Sequence, residues 1–316
     1  MINLSFTEFE EYAEAIQHVD LRCMVTGVKQ MHWSRYYLEV DSIHIQGGFE
    51  GCPMIFEGAT HRGFWTFYLQ RTGELGLVNG LHLDTESVTV APPDAQFCFN
   101  SPGEFNSQTI HIPTEILFPI NIASGWSHKS VRVLKPGYGL VNRLRTLIDR
   151  FIQASAIEPL VVTTTAAVAN FSETLLDTAR QILATGDPAI GHDRLAASRC
   201  QLVSTAVQFV DDCPEKSLSI NGLAQIAGVS ERKLRFAFVD SLGMSPLKYL
   251  SLRRFHQARE VLRGAAPDEL TVSSVAAQLG FWDLGRFAGN YHRIFGEYPS
   301  ESLRSTSSAP PRQMQL

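Results

Sequence analysis

The five cysteines of this 316-residue chain, Cys23, Cys52, Cys98, Cys200 and Cys213, are scattered, with no C-x-x-C pair and no Cys/His cluster at zinc-ligand spacing. A disulfide framework and a zinc module are excluded by that scatter, and reduced thiols in a cytoplasm are expected. No run approaches the roughly 18 apolar residues of a membrane span, and the opening MINLSFTEFEEYAE lacks the basic and apolar regions of a signal peptide. Neither secretion nor membrane contact is expected. G-x-S-x-G, G-x-G-x-x-G, P-loop and H-E-x-x-H are all missing, so no catalytic residue and no cofactor is expected. His44, His61, His82 and His111 occur without His-x-His or His-to-Glu spacing and read as structural histidines, with no metal site. Charged residues are scarce, at 19%, but apolar residues reach 44%, which rules out a disordered chain and leaves a folded protein of two or three units.

The formal net charge of -5 argues, taken whole, against a partner as acidic as nucleic acid. It is unevenly distributed. Residues 1–190 hold 12 Lys/Arg against 20 Asp/Glu, residues 191–316 hold 15 against 12, and the stretch 230–264 holds 8 against 3. An acidic first part precedes a modestly basic second one.

Residues 1–20 place Leu4, Phe9, Ile16 and Val19 among acids, as a short amphipathic lead-in helix would. From Leu21 to about Pro113, short β-branched and aromatic segments (YYLEVDSIHIQ, HRGFWTFYLQ, ESVTVAPP, QFCFN, NSQTIHIP) alternate with Gly, Pro, Asn and Asp punctuation, predicting an antiparallel sandwich or barrel. After Gly139 the period lengthens to about 3.6, and Val161, Val168, Leu175 and Ile182 then fall seven apart beside Phe171. That stripe suits either packing on the β part or dimerisation. TGDPAIGHD at 185–193 reads as a linker.

Residues 194–304 contain an internal repeat. LAQIAGVS leads into ERKLRFAFVDSLGMSP, and VAAQLGFWD leads into LGRFAGNYHRIFGEYP at an offset of 52 before the turn and 53 after it. In each copy small residues (Ala224, Ala227; Ala276, Ala277) permit close helix approach, Gly228 or Gly280 makes a turn, and Ser230 or Asp283 caps the next helix. Leu234/Phe238 and Phe287/Tyr291 form i, i+4 anchors, and Gly243 and Gly296 end those helices. Between the copies, Ser245 and Pro246 open a joining helix that Gly264 closes. A helix-turn-helix written twice, with a rigid spacer, fits two successive major grooves.

This arrangement, with R-R-F-x-x-A-x-x-x-L in the joining helix and L-G-F-W-D-L-G-R-F…F-G-E-Y-P-S in the second copy, resembles the DNA-binding domain of the AraC/XylS transcription regulators. The likeness covers about a third of the chain and is greatest to regulators of aromatic-acid and ethanolamine catabolism. Upstream, Y-L-x-x-D-x-I and S-P-G-E-F loosely resemble the sensor half of the ethanolamine-operon activator. The implied fold is α+β: an antiparallel β-rich, cupin-like or barrel-like sensor with a helical segment, then an all-α domain with two helix-turn-helix units. The expected divisions are 1–135 (sensor), 136–186 (dimerisation or packing helices), 187–193 (linker), 194–304 (DNA-binding domain, units 218–243 and 271–296) and 305–316 (disordered tail). The implied activity is transcription regulation, usually activation of a catabolic operon; the alternatives are a ligand-independent regulator whose β domain serves only assembly and an enzyme fused to a DNA-binding domain. The implied partners are double-stranded promoter DNA, RNA polymerase, a second copy in a homodimer, and a small-molecule effector, an amine or aromatic acid.

On the first recognition helix Arg232, Lys233 and Arg235 lie away from Leu234 and Phe238. The resemblance implies that Arg232 and Arg235 reach into the major groove, where Arg pairs with guanine. Phe236 is expected to pack, with contact to a thymine methyl as the alternative, and the resemblance implies a structural ion pair for Arg254, with phosphate contact as the alternative. In the second unit Leu284, Gly285, Ala288 and Gly289 replace hydrogen-bonding residues and leave Arg286 as the charged contact and Asp283 as a cap. That unit is expected to position the backbone more than to read bases. For the effector, HRGFWTFYLQ offers Arg62, Trp65, Phe67 and Tyr68 as pocket candidates, with plain core as the alternative.

Overall fold

A computed structural model of the chain describes residues 1–28, 30–118, 130–157, 164–185, 187–188, 193–212, 219–265 and 270–305. Its N-terminal part is β-rich and antiparallel, and its C-terminal part is helical. The strands are β1 (Ile2–Phe6), β2 (Val19–Val25), β3 (Trp33–Val40), β4 (Ile43–Glu50), β5 (Met54–Thr60), β6 (Phe64–Gly73), β7 (Leu77–Val78), β8 (Leu81–His82), β9 (Val88–Ala91), β10 (Gln96–Ser101), β11 (Phe105–Pro113), β12 (Arg132–Lys135) and β13 (Asp187–Pro188). They form an eight-stranded sheet in the order β1-β3-β4-β11-β6-β9-β12-β13 and a five-stranded sheet in the order β2-β5-β10-β7-β8.

The turns follow local chemistry. YYLEVDSIHIQ is split into β3 and β4 at Asp41, which takes the left-handed conformation (φ 52°). Asn79 and Gly80, both at positive φ (52° and 82°), join β7 to β8 as Asn-Gly does in a primed hairpin turn. At Gly48 a Cβ would collide with the Ser34 carbonyl of β3, so only glycine lets these strands approach there.

The lead-in is not one amphipathic helix. Residues 2–6 pair in antiparallel register with Tyr37–Trp33, and the helix is confined to α1 (Phe9–Glu14). Backbone pairing with β3 outweighs a weak helical period, and only Phe6 of the strand is buried.

Period-two alternation divides the large sheet between two environments. Leu38, Ile43, Ile45, Trp65, Phe67, Val88, Val90, Ile110 and Ile112 enter one core. That core is covered by α2 (Thr114–Leu117), α3 (Tyr138–Ile157) and α4 (Thr165–Thr185) through Leu117, Val141, Leu144, Ile148, Phe171, Leu175 and Ile182. The heptad stripe is thus spent against the sheet, with Val168 partly buried at its edge; Val161 lies outside the described residues. The alternate positions, among them Arg35, Gln46, Glu50, Thr66, Tyr68, Thr89 and Ser107, face the smaller sheet and line a space between the layers. Of the linker, Asp187–Pro188 pairs with β12 as β13, whereas 189–192 and the tail 306–316 lie outside the described residues.

The helical part comprises α5 (Asp193–Asp212), α6 (Ile220–Ile226), α7 (Glu231–Leu242), α8 (Pro246–Gly264), α9 (Val272–Gln278), α10 (Leu284–Phe295) and α11 (Pro299–Ser305). The second core is continuous from the β part into these helices: Phe9, Met24, Trp33, Phe56, Cys98 and Phe99 share it with Cys200, Val203, Phe238, Tyr249, Phe255 and Phe287. Burying each large apolar side chain contributes about 1.5–3 kcal/mol, so docking and folding of the helical part draw on the same term.

Candidate nucleic-acid interface and interior cavity

Each helix of the repeat begins at a side-chain cap. Ser219 accepts from the Gly222 amide (3.1 Å), Ser230 from Lys233 (3.3 Å), Ser245 from Lys248 (3.4 Å) and Asp283 from Arg286 (2.9 Å), and Thr271 with Ser274 closes a capping box. Gly228 and Gly280 turn the chain before α7 and α10 at φ 65° and 77°, and Gly243 and Gly296 end those helices in the left-handed conformation.

On α7, Leu234, Ala237, Phe238 and Leu242 are buried, leaving Arg232, Lys233 and Arg235 exposed on the opposite faces. Arg235 reaches back to Glu231 (3.4 Å), an exposed i, i+4 pair that solvent largely screens. Phe236 is not packed away. It is 58% exposed, with the Arg199 guanidinium 5.6 Å from its ring centre. On α10, Phe287, Tyr291, Ile294 and Phe295 are buried, and Leu284, Gly285 and Arg286 are exposed behind the Asp283 cap. Joining the two is α8, whose 19 residues span about 28 Å at 1.5 Å per residue.

The ion pair expected of Arg254 belongs to its neighbour. Arg253, 7% exposed, pairs with Asp211, which also binds Arg22 (2.8 Å). Arg254 instead lies 5.6 Å over the Phe281 ring, at a cleft beside Trp282, which is 87% exposed. The change of the repeat's offset from 52 to 53 falls in this turn.

The space between the sheets is a cavity of about 110 Å3. Phe56, Phe97, Phe99 and Phe105 wall it with Tyr68, and Arg35 and Glu50 enter it. One carboxylate oxygen of Glu50 accepts from Tyr12 (2.9 Å), Arg35 (3.0 Å) and Ser107 (3.1 Å), while the other has no partner. The Arg35 Nε, the Tyr68 hydroxyl and the Thr89 hydroxyl are likewise buried and unpartnered. Burial pushes the Glu50 carboxyl up, to about 7, against the pull of Arg35, Tyr12 and Ser107. Beside it, burial and the neighbouring His18 and His44 hold His111 down at about 3. His111 therefore stays neutral, accepting from Gln46 (2.9 Å) and donating to Thr66 (3.1 Å), a tautomer assigned from this network. Among the described residues no group of three or more His, Cys, Asp or Glu could hold a metal ion.

Of the four pocket candidates, Tyr68 alone lines the cavity. Trp65 and Phe67 face the helix-covered core, and Arg62 is exposed, 3.6 Å from Asp94. The residues that sequence reasoning missed, Arg35, Gln46, Glu50 and Ser107, sit at polar alternate positions of successive strands. A run of such positions facing one way across WSRYYLEV, IHIQGGFE and FNSQTIHIP was the available signal.

The cavity and the helical part meet at α1. Tyr12 bonds Glu50, and Phe9 lies edge-on to His256 of α8 (5.6 Å). Just before and within α1, Glu8 and Glu10 pair with Arg259 and Arg263 of α8; Glu10 lies 3.3 Å from each, and Glu297 is 3.2 Å from Arg259. Further along, Tyr249 bonds Glu57, the Cys98 and Cys200 sulfurs are 3.2 Å apart, and His256 donates to the Val25 carbonyl (3.0 Å).

Residues 223–305 match the family model described as a helix-turn-helix domain. Over 104 residues, 33% of this chain and 31% of the relative, the sequence is 38% identical to the probable thc operon regulatory protein of Rhodococcus erythropolis. Over 98 residues, 31% of this chain and 30% of the relative, it is 35% identical to the XylDLEGF operon transcriptional activator of Pseudomonas putida. The chain spans about a third of the length of these curated relatives. Among solved structures, the AraC-like transcriptional activator CuxR aligns over 84% of this chain and 97% of its own, with a TM-score of 0.45 and 15% identity. No helix of the described residues is long and apolar enough to cross a membrane.

Proposed function

We propose that this protein is a DNA-binding transcription regulator of the AraC/XylS type, with two helix-turn-helix units reading one promoter and an interior cavity in the β part taking a small effector. The observation that carries the reading is the face of α7: Arg232, Lys233 and Arg235 are exposed and capped by Ser230, while the opposite face is fixed in a core shared with the β part. Arginines held this way can enter a major groove and pair bidentately with guanine, and the lysine neutralises phosphate. The second unit, α9 with α10, offers Asp283, Leu284, Gly285 and Arg286 at its leading end, where free helix amides suit a phosphate. The two units are 218–243 and 271–296 within a domain 194–304, and α8 sets them on successive grooves of double-stranded DNA.

The similar operon regulators support activation, which brings RNA polymerase in as a partner. A homodimer would strengthen a modest electrostatic footprint. It would have to use faces of the helices at 136–186 other than their buried stripe, which the sheet covers. No step of this activity calls for catalysis or a cofactor, and a cytoplasmic location accords with it. The effector acts through α1, which touches Glu50 on one side and α8 on the other. A ligand that favours one placement of Tyr12 shifts the arrangement of the two units by its difference in affinity.

Footprinting on the promoter regions flanking the gene, with the wild type and the Arg232→Ala, Arg235→Ala double variant, tests the reading. The wild type is expected to protect two adjacent major-groove tracts, and the variant to lose the tract under α7. Protection unchanged by the double substitution would overturn the assignment.

A further inference from the structure

The cavity states, by what it leaves unsatisfied, what it would take. A buried polar group without a partner costs about 1–3 kcal/mol, and four residues lining this one space each hold such a group just beneath its wall: the free oxygen of Glu50, the Nε of Arg35, and the hydroxyls of Tyr68 and Thr89. The first accepts only, the second donates only, and the hydroxyls do either. A head group that completes the set must both donate and accept.

Charge narrows the choice. Arg35 and Glu50 are 3.0 Å apart and buried, 5% and 1% exposed, so their charges cancel inside the protein. An ammonium or carboxylate brought between them would leave one buried charge uncompensated. Size narrows it again. An apolar protein cavity of about 150 Å3 takes one benzene ring, and this one, at about 110 Å3, is smaller, so it takes one ring at most, and its walls must move outward to admit a small head as well. Its walls suit a ring: Phe99 lies 5.6 Å from Phe56, 5.3 Å from Tyr68 and 5.6 Å from Phe105 in tilted contacts.

From these observations we infer that the cavity binds an uncharged single-ring molecule whose carboxamide or hydroxyl head donates to Glu50 and accepts from Arg35 and Tyr68. The inference rests on the reading of the cavity as the effector site and sharpens it away from amines and aromatic carboxylates.

The test uses the full chain with four probes of one size, benzamide, benzyl alcohol, benzoate and benzylamine, by titration calorimetry and thermal denaturation at pH 8. Benzamide and benzyl alcohol are expected to raise Tm and to bind at least tenfold more tightly than benzoate and benzylamine. Thr109→Phe, which fills the cavity from β11, is expected to abolish binding. Glu50→Gln puts a donor where the acceptor was and is expected to weaken benzamide tenfold or more while strengthening benzoate. Should Glu50→Gln fail to fold, Tyr68→Phe removes only an unpartnered hydroxyl and is expected to weaken benzamide about fivefold without lowering the ligand-free Tm. A charged probe binding as tightly as benzamide, and lost in Thr109→Phe, overturns the uncharged head but upholds the effector site. No binding by any probe, with promoter DNA still bound, overturns both and leaves the DNA-binding assignment standing.

Discussion

His256 lies on α8 where the helical part meets the β part, between the rings of Phe9 (5.6 Å) and Phe295 (5.0 Å), and its Nε2 donates to the Val25 carbonyl. Burial, reinforced by Arg259 and opposed by the Val25 bond, lowers its pKa from about 6.5 to about 4. The folded state then binds fewer protons than the unfolded chain across this window. Its stabilising contribution is complete above pH 6.5 and is lost as pH falls toward 4. At about 1.36 kcal/mol per unit, the loss between pH 7 and pH 5 is at most about 2 kcal/mol, reduced by the water that reaches the ring's edge. His111, held near 3, has the same sign, whereas Glu50, raised to about 7, gains stability on acidification, so the wild-type curve mixes all three. His256→Gln isolates one of them: its amide can still donate to Val25, and it does not titrate. The variant will be less stable at pH 7 for want of the ring contacts, but urea unfolding should show it losing about 1–2 kcal/mol less than the wild type between pH 7 and pH 5. Parallel curves for the two proteins would refute a neutral, buried His256 at this joint.

Three further outcomes are expected. Base changes in the half-site under α7 should weaken promoter binding about 5- to 150-fold each, and those under α10 much less, since Arg286 is the one basic residue among Asp283, Leu284, Gly285 and Arg286 at its leading end; equal sensitivity in gel-shift titrations would remove the asymmetry. Arg259→Ala should destabilise the chain by about 3–5 kcal/mol by leaving Glu10 and Glu297 beside a vacated buried site, and Arg259→Met by clearly less, because Met refills the volume over Phe295; identical losses in chemical denaturation would show that packing alone matters there. Phe238→Ala should cost about 3–5 kcal/mol, and because its core continues to Phe99 and Trp33, calorimetry should show one lowered transition for the whole molecule rather than an early melt of the helices.

The helical part was legible because its signals are local. Caps at Ser230, Ser245 and Asp283, left-handed glycines at 243 and 296, and the Leu234/Phe238 and Phe287/Tyr291 anchors are each set within a few residues, and all appear in the folded chain. The β part was legible as strands but misleading as to faces. The alternation in HRGFWTFYLQ is real, but it left Trp65 and Phe67 open between a barrel interior and plain core, and the structure places them in the core. What decides the matter lies some 70 residues further on: α3 and α4 cover the outer face of the large sheet and take the apolar set, leaving the polar set facing inward. No window of the sequence contains both partners of that choice. The same holds for Arg253 and Arg254, adjacent on α8, where Asp211 of α5 and Phe281 after α9 determine which one is buried.

On the proposed reading, the placement of α1 gives an effector its route to α8 and limits the strength of that control. One short helix supplies Phe9 to the shared core, Tyr12 to the Glu50 cluster and Glu10 to α8, so displacement at one contact is felt at the others. The limit is set by linkage. An effector present at 100 times its Kd stabilises the state it prefers by about 2.7 kcal/mol, a roughly hundredfold change in the balance of arrangements. Docking of the helical part rests on many apolar side chains of about 1.5–3 kcal/mol each, which no effector of one ring could undo. On that reading, effector control works by re-aiming α8 within the docked state rather than by releasing it. The groups positioned to do so are the half-buried acids Glu8 and Glu10, which pair with Arg259 and Arg263 of α8.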